Sequence, residues 1–60
     1  MNSYIMAQCQ TMMKQVQLFK QACEMAALKD DGTIDKDEQK ALKQINKACE
    51  GFIRDIQKLV

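Results

Sequence analysis

The chain has 60 residues, 47% of them hydrophobic and 28% charged, with no Pro, Trp or His. That length admits one thin domain burying only about 60% of its unfolded surface, and domains this small usually add a disulfide, a metal or an oligomeric partner. Without His, Ser-His-Asp and Cys-His devices are excluded within the chain, and a net charge of +1 gives no bulk polyelectrolyte signal for nucleic acid or membrane.

No enzymatic activity and no cofactor are therefore expected. The opening residues Met1 to Met6 lack the basic segment and long apolar core of a secretory signal. No apolar run approaches the ~20 residues of a membrane span. Cys9, Cys23 and Cys49 make an odd number of cysteines, which argues against a disulfide framework. A reducing, cytoplasmic setting and no membrane are the expectation.

In the first half, Ile5, Cys9, Met12, Val16, Phe19, Cys23 and Ala26 step alternately by four and three, the heptad rhythm of a coiled coil. Gln, Lys, Met, Ala and Leu favour helix, and Asn2 or Ser3 stands where an N-cap belongs. The pattern predicts a helix over about 3–29. Lys14 is the only charge between Met1 and Phe19, and the polar positions include Gln8, Gln10, Gln15 and Gln17. A water-exposed helix normally carries more charge, and Met6, Met12 and Met13 supply the flexible, polarizable side chains common at adaptable interfaces. Met6, Gln10, Met13 and Gln17 are thus the candidate partner-binding surface. The alternative places this half inside a dimer, where low charge is also expected.

The only clear breaker runs from Lys29 to Asp35. Asp30 and Asp31 favour turns, and Gly32 accepts the left-handed backbone that often ends a helix. Asp35 followed by Glu38 has the spacing of a capping box, with Asp in the Ser/Thr place. Residues 31–38 (Asp31, Gly32, Thr33, Ile34, Asp35, Lys36, Asp37, Glu38) resemble the second half of an EF-hand loop. That resemblance puts Asp31, Gly32, Asp35 and Glu38 at the fifth, sixth, ninth and twelfth loop positions, and it implies calcium ligation by Asp31, Asp35 and Glu38. The chain departs from the family at the first and third positions, which are Ala27 and Lys29 instead of oxygen ligands.

The second half repeats the heptad rhythm at Leu42, Ile45, Cys49, Phe52, Ile56 and Leu59, predicting a helix over about 36–59 after a turn at 30–35. Gly51 inside it allows a close approach or is simply tolerated. Lys36, Lys40, Lys43, Lys47 and Arg54 recur at the outermost heptad positions, forming either a solvated face or the contact for RNA or an acidic protein. If the helices run antiparallel about this turn, Cys23 and Cys49 are offset by roughly 10 Å along the axis. A bridge needs Cα atoms within ~7 Å, so buried free thiols are expected.

Further apolar residues flank both seams: Tyr4, Leu18 and Met25 in one row and Met6, Met13 and Ala27 in another, then Ala41 and Ala48, with Ile53 and Val60 opposite. A stripe this wide touches more than one neighbour. The expected fold is all-α, a single domain over residues 1–60 forming an antiparallel helical hairpin that dimerises into a four-helix bundle. This plan looks like the Rop family of RNA-binding plasmid regulators, which implies a dimeric bundle and leaves nucleic acid open as a partner. The favoured expectation is a non-enzymatic protein-interaction module, an adaptor, chaperone or inhibitor, that pairs with itself and with another protein.

Overall fold

Asn2 opens the first helix: its Oδ1 accepts the Ile5 N–H at 2.8 Å and its carbonyl accepts the Met6 N–H at 3.1 Å. An amino-terminal turn has spare N–H groups, and a short side-chain amide satisfies one of them. In the computed structural model, which describes residues 2–29 and 31–59, α1 spans Ser3–Lys29 and α2 spans Lys36–Gln57. No strand occurs among the described residues. Asp30, expected in the turn, and Val60, expected on a flank of α2, lie outside them.

The connection is held by its own polar groups. Gly32 adopts φ +77° and donates its N–H to the Leu28 carbonyl at 2.9 Å, closing the end of α1 in the left-handed manner that glycine permits. Asp31 Oδ1 then accepts both the Thr33 N–H at 3.1 Å and the Thr33 hydroxyl at 3.2 Å. Asp35 caps α2: its Oδ1 accepts the Glu38 N–H at 2.8 Å, and Glu38 Oε1 accepts the Asp35 N–H at 3.2 Å. Both halves of the capping box are therefore made. At the far end α2 stops at Gln57, two residues short of the expected boundary. There the Leu59 N–H bonds the Ile56 carbonyl, the tightened spacing typical of a last turn.

Residues near the start of α1 lie beside residues near the end of α2, so the helices run antiparallel. The Cα atoms fill a slab of 46 × 16 × 7 Å. Along α1 the half-buried positions are Met6, Cys9, Met13, Val16, Lys20, Cys23 and Ala27; along α2 they include Glu38, Leu42, Ile45, Ile53 and Ile56. Cys49, 7% exposed, is the one buried side chain among the described residues.

The inward row of α1 is thus rotated from the expected seam. Cys9, Val16 and Cys23 face α2 as expected, but Met6, Met13, Lys20 and Ala27 complete the row. Ile5, Met12, Phe19 and Ala26 stay exposed, as do Phe52 and Leu59 on α2. The reason is steric and numerical. The apolar stripe of α1 extends to both sides of the Cys9–Val16–Cys23 line, and a single neighbouring helix covers only one side. The hairpin covers the side of Met6, Met13, Lys20 and Ala27 and leaves Ile5, Met12, Phe19 and Ala26 outside.

Candidate interaction faces

Cys9 on α1 and Cys49 on α2 both point toward the helix contact. On a helix the positions three and four residues beyond an inward residue fall on opposite sides of it. Those positions are Met12 and Met13 after Cys9, and Phe52 and Ile53 after Cys49. The slab therefore has two broad faces, one edged by Met12 and Phe52, the other by Met13 and Ile53, and each carries a groove.

The first groove, of about 510 Å³, is lined by Tyr4, Ile5, Ala7, Gln8, Cys9, Met12, Phe52 and Ile56. None of these side chains is charged. The second, of about 590 Å³, is lined by Gln10, Met13, Lys14, Gln17, Leu18, Ile53 and Gln57. Both fall in the size range of ligand sites, yet both lie open along the hairpin, in the manner of a surface that accepts another helix. The second groove joins three of the four candidate partner residues, Gln10, Met13 and Gln17. Met6 is half-buried between the helices and is not part of its lining. Leu18, Ile53 and Gln57 belong to the same groove and were not singled out as partner residues from sequence. Ile53 stands four residues after Cys49, as Met13 stands after Cys9, and that shared offset is the signal that finds it.

Lys20 and Glu50 were also missed. Lys20 Nζ lies 3.7 Å from Glu50 Oε1, with the lysine side chain 25% exposed and the glutamate 60% exposed. Lys20 occupies the row of Met6, Met13 and Ala27, so its alkyl stem lies against the seam while its ammonium reaches out. Lys36, Lys40, Lys43, Lys47 and Arg54 are all exposed along one edge of α2.

The acidic turn is occupied by its own hydrogen bonds. Asp31 holds Thr33, while Asp35 and Glu38 hold each other's backbone N–H. Ala27 and Lys29 lie in the last turn of α1. No group of three or more His, Cys, Asp or Glu side chains converges on a metal-sized site among the described residues. Cys9, Cys23 and Cys49 are free thiols, the first two half-buried and the third buried. Among the described residues, no helix is long and apolar enough to cross a membrane. No protein-family model, curated protein or solved structure matches the chain.

Proposed function

We propose that the chain is a non-enzymatic helical protein-interaction module, an adaptor, chaperone or inhibitor that acts through the faces of its helices. Two hairpins pair into a four-helix bundle, and the groove around Gln10, Met13 and Gln17 meets a second protein. The observation that supports this reading is an inverted surface. Tyr4 is 85% exposed and Leu18, Phe19, Met25 and Leu59 are all more than half exposed, while a single thiol is buried. Of these, Phe19 shares one face with Ile5, Met12 and Phe52, and monomeric proteins seldom leave such an apolar face bare unless they bind something there.

Sedimentation equilibrium across a hundredfold dilution, with far-UV circular dichroism on the same samples, tests this reading. A helical dimer is expected. A partly helical monomer would remove the pairing and leave an apolar seam that awaits a different protein. A fully helical, cooperatively melting monomer would sink the interaction reading, because the hairpin would then need no cover.

A second reading rests on the basic edge. Lys36, Lys40, Lys43, Lys47 and Arg54 share one edge of α2, and Glu50, the acid nearest that edge, is turned toward Lys20. A nucleic-acid contact there requires retention of RNA or DNA that falls steeply with salt, with a slope reduced by about one for each phosphate-contacting lysine removed. Absence of binding at low salt would eliminate it.

A further inference from the structure

We infer that a second copy of this chain docks on the face edged by Ile5, Met12, Phe19, Phe52 and Leu59, leaving the opposite face, with Lys14 and the Lys20–Glu50 pair, on the outside of the dimer. This inference rests on the interaction reading above and names the partner and the surface.

Three observations favour this occupant on this face. The first is charge. Ile5, Met12, Phe19 and Ala26 form one seven-residue row without a charge, and Ile45, Phe52 and Leu59 continue a second row whose only charged residue, Glu38, is held in the cap of α2 at the turn end. Asp55 closes the row of Ala41 and Ala48 near the end of α2. A two-fold interface sets a patch against itself, so the groove between Ile5, Met12, Phe52 and Ile56, whose lining carries no charge, meets its copy without like-charge repulsion. Doubling the other face would instead bring Lys14 and Lys20 near their own copies.

The second is area. A broad face of 46 × 16 Å has a footprint of roughly 740 Å², close to the ~800 Å² per partner of a standard stable interface. The third is side-chain type. This face displays both phenylalanines of the chain, 54% and 39% exposed at positions 19 and 52. Its neighbours Ala26, Ala41 and Ala48 are small enough to receive such rings, the large-against-small alternation that packed helical layers require.

Leu18 and Phe19 are adjacent on α1 but belong to opposite faces, so equal changes at the two positions separate the alternatives. Sedimentation equilibrium of Phe19→Glu, Leu18→Glu and the unaltered chain is read together with helicity. Phe19→Glu is expected to weaken the dimer at least about a hundredfold, the effect of stranding an unpaired carboxylate in an interface. Leu18→Glu is expected to change it less than about threefold.

A dimer broken by Leu18→Glu and spared by Phe19→Glu overturns the face while pairing stands. An unaltered chain that stays monomeric overturns the pairing itself. Fluorophenylalanine incorporated into the unaltered chain labels only this face and needs no substitution. Both fluorine resonances should move through the dilution that dissociates the dimer, and resonances that stay fixed through that transition contradict the assignment.

Discussion

Lys20 and Glu50 form an ion pair of 3.7 Å between α1 and α2, at a row otherwise held by Met6, Met13 and Ala27. A charge placed in an apolar row is a poor choice for stability alone, and its exposed partner limits the gain to about 0.2–1 kcal/mol. The pair joins the two heptad faces at one axial height. Glu50→Gln is expected to cost less than about 1 kcal/mol in urea melts at low salt and nothing measurable at molar salt. Lys20→Met should raise the urea midpoint, since it extends the methionine row. A lowered midpoint would show that the pair contributes more than its exposure allows.

Asp35 and Glu38 cap α2 reciprocally. Asp35→Ala is expected to cost about 1 kcal/mol by thermal or urea melting, while Glu38→Gln should cost only a few tenths, because glutamine accepts the same bond. Calcium ligation would need these oxygens for a cation. With Oδ1 of Asp35 and Oε1 of Glu38 engaged in the cap, and a twelfth-position Glu needing both its oxygens for calcium, melting curves in millimolar calcium and in chelator are expected to coincide.

The two glycines should respond in opposite directions. Gly51 sits within α2 with open space where a Cβ would project, so Gly51→Ala should stabilise by about 0.5–1 kcal/mol. Gly32 has space as well, but its φ of +77° strains any L-residue, and Gly32→Ala should cost about 1–2 kcal/mol. Chemical denaturation of both variants checks the pair. Destabilisation by Gly51→Ala would mean that another chain approaches α2 at that point.

Burial ranks the thiols. Cys49 is buried, whereas Cys9 and Cys23 are half-buried. At dilutions where single chains predominate, a colorimetric thiol reagent should modify the latter two first, with Cys49 slower by about tenfold or more because its reaction waits for the helices to separate. Simultaneous modification of all three under those conditions would place Cys49 on the surface.

The two helices and the cap at Asp35 were legible because each depends on local chemistry: helix formers on a period of 3.6, one glycine at the break, and an acid three residues before another. The rotation of α1 was not. Ile5–Met12–Phe19 and Met6–Met13–Ala27 are both apolar rows beside Cys9–Val16–Cys23, and only the neighbouring helix selects between them. Lys20 hid the answer, since a lysine argues for exposure until Glu50 is placed opposite it. Of the expected partner surface, Gln10, Met13 and Gln17 do share a groove. Its far wall, Ile53 and Gln57, comes from α2, and the antiparallel register that brings it there is a tertiary property.

With Cys49 as its deepest side chain, the hairpin has almost no interior to set against the roughly 1–2 kcal/mol per residue that backbone ordering costs. For a chain completed by its own copy, the ordered form belongs to the population of chains and not to each one separately, and its melting point rises with concentration. Where unpaired chains predominate, the folded amount grows as the square of total chain, and single chains are the form a protease meets. A modest rise in expression would then raise the folded amount more than in proportion.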